Sequence, residues 1–117
     1  MPGPLPGSGG VPVLRLDQGS ELRLDRTWVI GRDPVAPATH PDAVPFPVVD
    51  ATKSVSKTHL AVGPAESGAW VVDLHSTNGV TIQEADGATV RLVPGETAVV
   101  PASATIGYGE RTIVVLG

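Results

Sequence analysis

S-V-S-K-T-H-L at 54–60 and W-V-V-D-L-H-S-T-N-G at 70–79 decide how this chain reads. In the first, Ser54, Ser56, Lys57, Thr58 and His59 stand just before an apolar run, L-A-V. In the second, Ser76, Thr77, Asn78 and Gly79 stand just after one, W-V-V-D-L. Small hydroxyl and amide residues at the ends of strand-like runs sit on loops, and loops carry function.

Working outward, the flanking sequence alternates at period two. V-P-V-L-R-L-D places Leu14 and Leu16 on one face, and E-L-R-L-D repeats the pattern with Leu22 and Leu24. Gly19-Ser20 between them turns the chain, so a hairpin is expected. T-W-V-I-G-R follows as a third strand ending at Gly31-Arg32. Prolines 34, 37, 41 and 45 then mark a long loop over 33–45. F-P-V-V-D is expected as a short strand, placed at a sheet edge by its proline. H-L-A-V-G and A-W-V-V-D-L flank a turn read at G-P-A-E-S-G. V-T-I, A-T-V-R-L, T-A-V-V, A-T-I-G-Y and R-T-I-V-V-L-G complete the series. No window carries an apolar stripe at helical spacing. Closely spaced strands with Gly/Pro turns predict an all-β sandwich or barrel.

Composition limits the function. The 117 residues fit one domain, expected over 11–117. Residues 1–10, almost all Pro, Gly and Ser, are expected to be a disordered tail or linker, and they lack the basic start and apolar core of a secretory signal. Without cysteine there are no disulfides and no thiol chemistry. The net charge of -4 argues against general nucleic-acid or acidic-membrane binding. A local anion site remains open, because both lysines of the chain, Lys53 and Lys57, fall in the opening stretch.

Three loops are expected at one end of the sandwich. They carry Arg32, then Ser56, Lys57 and His59, then Ser76, Thr77, Asn78 and Gly79. The arginine fork suits a phosphate, the hydroxyls add short donors, and an asparagine offers an acceptor and a donor pair for a peptide backbone. A few charge-assisted hydrogen bonds, less ordering costs, would support roughly micromolar binding, about -8 kcal/mol. Each piece alone has an ordinary reading. Gly31 is a turn glycine, Arg32 a solvated arginine, and Asn78-Gly79 a type I′ turn pair. Ser54, Thr52 and Thr58 read as turn hydroxyls, Lys53 as solvated, and His40 and His75 have no second ligand at metal spacing. Ser56, His59 and Asp73 have the composition of a catalytic triad, but no strand-turn-helix nucleophile elbow surrounds the serine.

Taken in order, Gly31-Arg32, S-K-T-H at 56–59, D-L-H-S-T-N-G at 73–79 and L-V-P-G-E at 92–96 resemble the forkhead-associated (FHA) domain family. The resemblance spans Leu14 to Leu116. It implies a sandwich of two antiparallel or mixed twisted sheets with about eleven short strands. It implies a non-catalytic module that binds phosphothreonine peptides through loops at one end, without cofactor or metal. By position, Arg32, Ser56, Lys57 and Thr77 would contact phosphate and Asn78 would clamp the peptide backbone. Gly31, His59 and Gly79 would support the site. A methyl-sized pocket would favour phosphothreonine over phosphoserine. The implied partner is a kinase-phosphorylated protein or a phosphorylated tail of the parent chain. A phosphate-independent scaffold using the same fold is the alternative. Abundant Ala, Val, Pro and Gly, with six arginines against two lysines, point to a GC-rich bacterial source. A cytoplasmic location, alone or within a larger protein, follows from the family. The sequence departs from the family at the long 33–45 loop, expected to cover or reshape the peptide groove, at Lys57, where arginine is commoner, at Val80, where threonine is common, and at the longer I-Q-E-A-D-G hairpin.

Overall fold

The computed structural model describes residues 11–116, so the tail expected over 1–10 lies outside the described residues. Eleven strands form two sheets packed face to face. The six-stranded sheet runs β2-β1-β11-β10-β7-β8, built from β1 (Val13–Leu16), β2 (Glu21–Arg23), β7 (Val80–Gln83), β8 (Thr89–Arg91), β10 (Thr105–Tyr108) and β11 (Arg111–Leu116). The five-stranded sheet runs β4-β3-β5-β6-β9, built from β3 (Trp28–Gly31), β4 (Val44–Pro47), β5 (Leu60–Ala65), β6 (Gly68–Asp73) and β9 (Thr97–Pro101). No helix among the described residues is long and apolar enough to cross a membrane.

Period-two alternation fills the space between the sheets. Leu14, Leu16, Ile106, Tyr108, Ile113 and Val115 come from one sheet, and Ile30, Leu60, Val62 and Val71 from the other; all are essentially inaccessible. Each such side chain contributes roughly 1.5–3 kcal/mol of transfer free energy. The β1–β2 hairpin forms as expected, with Gly19 at φ +105.

Two elements differ from the sequence reading. The edge strand is V-P-F-P rather than F-P-V-V-D, and it pairs parallel to β3, Trp28 opposite Val44 and Gly31 opposite Pro47. A parallel neighbour needs a crossover of about a dozen residues or more. The long proline-rich loop therefore has a topological cause. The turn between β5 and β6 is also tighter than expected, because Gly63, Pro64 and Ala65 continue β5 and pair with β6. Pro64 is tolerated because β3 pairs with β5 only as far as Val62, so the missing N–H faces no partner strand.

The loop over 33–45 supplies no residue to the pocket formed where Arg32, residues 53–57 and Thr77-Asn78 meet. Val35 N–H donates to Thr58 Oγ1 at 3.1 Å, and the loop then crosses to the outer face of the five-stranded sheet. There the His40 ring stacks on Trp70, with centroids 5.2 Å apart. The Trp70 ring lies flat over Gly63, where a Cβ would overlap it. Val29, Ala61 and Val72 stand in cross-strand register on the same sheet and are buried outside the main core. From its anchor on Thr58, the loop thus runs on to pack on the outer face of the sheet.

Candidate functional site

Only three polar or charged residues are buried among the described ones, Asp50, His59 and Asp73, and all three brace loops at the same end of the sandwich.

The first brace joins β3 to the 56–59 loop. Arg32 N–H donates to Ser56 O and Asp33 N–H to Lys57 O, both at 3.0 Å, and His59 N–H donates to Ile30 O at 2.9 Å. This brings the Lys57 carbonyl so close to Gly31 that a Cβ there would overlap it. Glycine at 31 is a packing requirement. On the next residue, Arg32 Nε donates to Val55 O at 2.6 Å. That bond fixes the guanidinium plane and leaves both Nη groups without a protein partner among the described residues.

The second brace is His59, fully buried at the centre of the site. Its Nδ1 accepts from Ser56 N–H at 3.0 Å and its Nε2 lies 2.8 Å from Gly79 O. An amide N–H only donates and a carbonyl only accepts, so the ring is the neutral Nε2–H tautomer. Burial pushes its pKa down, partly opposed by the Gly79 carbonyl and the Asp73 charge. Both ring nitrogens are therefore engaged with backbone. Neither meets Ser56 Oγ or the Asp73 carboxylate, so the triad wiring is not made. Asp73 Oδ1 instead accepts from Ser76 N–H at 2.9 Å, and Ser76 Oγ accepts from Gly79 N–H at 2.9 Å. Asp73 O also accepts from Gly95 N–H, and the His75 ring packs on Gly95, which ties in L-V-P-G-E.

The third brace is Asp50. Its carboxylate accepts from Thr52 Oγ1 (2.7 Å) and N–H (3.3 Å), Ser54 Oγ (3.0 Å) and Val55 N–H (2.8 Å). The Thr52 hydrogen bond leads in holding this carboxyl far below the usual range, joined by those from Val55 and Ser54 and against the opposing effect of burial. Lys53 is held in the left-handed region at φ 57 within this turn. Arg111 pairs with Asp17 at 2.8 Å and donates to Val49 O at 2.7 Å, fixing the start of the loop.

Cross-links then join the two polar loops. Ser56 Oγ accepts from Thr77 N–H at 3.0 Å, which leaves the Ser56 hydroxyl hydrogen to donate elsewhere. Asn78 Nδ2 donates to Ser54 O at 2.8 Å, leaving its second N–H and its Oδ1 for a ligand. The result is an open pocket of about 270 Å3 lined by Arg32, Lys53, Ser54, Val55, Ser56, Lys57, Thr77 and Asn78. All five residues expected to meet a ligand line it. Gly31, His59 and Gly79 lie behind it as support.

The pocket also takes in Ser54 and Lys53, which the sequence presents as a turn hydroxyl and a solvated lysine. A signal was present: in D-A-T-K-S, a carboxylate is followed at i+2 and i+4 by hydroxyls, the pattern of local side-chain-to-backbone turns. Tyr108 is a further buried member, edge-on to His59 with centroids 5.6 Å apart. Its hydroxyl has no hydrogen-bond partner among the described residues, and burial raises its pKa. An orphan hydroxyl is destabilising, so Tyr108→Phe is expected to leave the melting temperature unchanged or raise it, by up to about 1 kcal/mol in stability. A clear loss in a thermal melt would show that the hydroxyl has a partner.

The FHA domain family profile matches residues 28–106, about two thirds of the chain and all three loops. A search of curated proteins found no significant match. Among solved structures, the FHA domain of CT664 from Chlamydia trachomatis aligns with a TM-score of 0.66 at 19% identity, over 92% of this chain and 98% of that one. The FhaA FHA domain, complexed with the intracellular domain of Rv3910, aligns at 0.60 and 26% identity, over 89% and 98% of the two chains. An FHA domain solved in work on phosphothreonine-dependent FHA interactions aligns at 0.58 and 25% identity, over 92% and 96%. With a matching profile, matching folds and three loops braced into one pocket, this chain belongs to the FHA domain family.

Proposed function

We propose that the domain is a non-catalytic module that binds phosphothreonine-containing segments of a kinase-phosphorylated partner, or of its own parent chain, in the pocket between the three loops. One observation carries the reading. Arg32, Ser56, Lys57, Thr77 and Asn78, far apart in sequence, line a single pocket, with the donors of Arg32, Ser56 and Asn78 only partly used by the protein. A phosphate with about -1.5 to -2 charges and three strong acceptor oxygens matches that donor set. Arg32 supplies a planar fork, Lys57 and Lys53 point charges, and Ser56 and Thr77 short hydroxyls. Asn78 offers an N–H and a carbonyl oxygen to a peptide backbone. The FHA domain solved in work on phosphothreonine-dependent interactions supports the same ligand class, and the one complexed with an intracellular domain supports a protein partner. A cytoplasmic setting in a GC-rich bacterium, within a Ser/Thr-kinase pathway, is part of the proposal.

The test is fluorescence polarisation with matched peptides bearing phosphothreonine, phosphoserine or unmodified threonine. Binding is expected for phosphothreonine, more weakly for phosphoserine, and not for unmodified threonine. Equal binding of phosphorylated and unmodified peptides would overturn the reading. Partner capture that survives Arg32→Ala combined with Ser56→Ala would favour a phosphate-independent scaffold.

A further inference from the structure

The chain has eight lysines and arginines and a net charge of -4. Four of the eight are paired with carboxylates: Arg15 with Glu21 at 2.9 Å, Arg23 and Arg26 with Asp25 at 3.6 and 2.8 Å, and Arg111 with Asp17 at 2.8 Å. The other four, Arg32, Lys53, Lys57 and Arg91, have no carboxylate partner among the described residues. Three of these line the pocket. The fourth, Arg91, is on the edge strand β8, and its guanidinium occupies the space that a Cβ at Gly79 would fill. All four unpaired cations therefore gather at the recognition end of an acidic protein.

Arg91 has no structural partner to explain it. It is exposed, and its guanidinium makes no side-chain hydrogen bond among the described residues. It does not line the phosphate pocket, but Gly79, against which it rests, directly follows Asn78, which does. Gly79, at φ +80 and without a Cβ, leaves room for it. A single phosphate is already matched by the arginine and lysines of the pocket. A fourth cation one residue beyond Asn78 fits a second negative group on the same ligand.

We infer that Arg91 is a specificity-determining residue of this site, reading an acidic side chain of the bound segment that flanks the phosphothreonine on the Asn78–Gly79 side. This rests on the phosphopeptide reading above. An arginine–carboxylate contact is planar and can be bidentate, which gives it positional selectivity. At an exposed rim its effect is modest and screened by salt.

The experiment uses fluorescence polarisation at low ionic strength. One phosphothreonine peptide carries alanine at every flanking position. A matched series carries a single Glu at each flanking position in turn. The readout is the ratio of affinities for the Glu-bearing and alanine-flanked peptides, which a merely structural weakening leaves in place. One Glu position is expected to bind about three- to fivefold tighter, an advantage that fades in high salt. Arg91→Ala should abolish that ratio, and Arg91→Glu should transfer the preference to Lys at the same position. If no Glu position improves binding, or the advantage persists in Arg91→Ala, the inference is overturned while the phosphopeptide reading stands. If no phosphorylated peptide of either kind binds, both fall.

Discussion

Arg32→Ala is expected to weaken phosphothreonine-peptide binding at least tenfold, about 1.4 kcal/mol, with little change in the melting temperature. The size follows from the bonds at stake, since hydrogen bonds to charged groups contribute about 1.5–3 kcal/mol each. The small effect on stability follows from exposure, because only the 2.6 Å bond to Val55 O ties the guanidinium to the protein. That same bond makes Arg32→Lys a poor rescue. A lysine has no rigid fork with which to hold the Val55 carbonyl and present two further donors in one plane. Ser56→Ala is expected to lose a similar factor in affinity, but its cause is mixed. Ser56 Oγ also accepts from Thr77 N–H, so its removal frees the second loop as well as deleting a ligand donor. Polarisation binding curves paired with thermal melts separate the two cases. An Arg32→Ala domain that binds as the wild type does would remove Arg32 from the phosphate contacts.

Most strands were legible because the code for them is local. Alternation at Leu14/Leu16, Leu22/Leu24 and Ile113/Val115 needs only one buried face, and the turns at Gly19 and Gly95 need only a residue that tolerates positive φ. What was illegible depends on a partner distant in sequence. The edge strand was read two residues late because Val44 and Pro45 gain their strand character from β3, and a parallel pairing leaves no hairpin signal. The path of the 33–45 loop was illegible because its anchor is a tertiary stack: nothing in the sequence around His40 announces Trp70, thirty residues later. The pocket-lining residues could be gathered from strand-end loops, but an individual role for each came only from the family resemblance. Arg32 and Asn78 look like any solvated arginine and turn asparagine until Val55 O and Ser54 O are placed against them. Ser54 shows the opposite failure. It was dismissed as a turn hydroxyl, which it is, since its Oγ donates to Asp50 and accepts from Glu110 N–H. Being a turn residue is what places its carbonyl under Asn78 and its side of the loop along the pocket.

His59→Ala is expected to destabilise the domain by about 3 kcal/mol, although the residue does not line the pocket. The substitution would leave Ser56 N–H and Gly79 C=O without partners in the interior and open a cavity beside Tyr108. Against a typical total of about 5–15 kcal/mol, that is a large share. Because the two bonds hold one polar loop each, phosphopeptide affinity should fall along with stability. The same geometry fixes a pH dependence. The unfolded imidazole has its ordinary pKa of 6.5, and burial lowers it in the fold. Above pH 6.5 the ring is neutral in both states and contributes no slope. As pH falls below that value the unfolded chain takes up the proton first, so stability declines until the folded pKa is reached. Protonation at Nδ1 in the fold would set an N–H against the Ser56 N–H, donor against donor, which is why the folded ring resists it. Thermal melts from pH 7.5 to about 5 should therefore fall for the wild type by more than for His59→Ala. The effect from Asp50 enters only lower, below its ordinary pKa of 3.8. Stability is the required readout, because the second phosphate pKa of a phosphopeptide lies near 6 and would make binding pH-dependent by itself. Parallel pH curves for the two proteins would mean that His59 is not held as the neutral acceptor that the loops require.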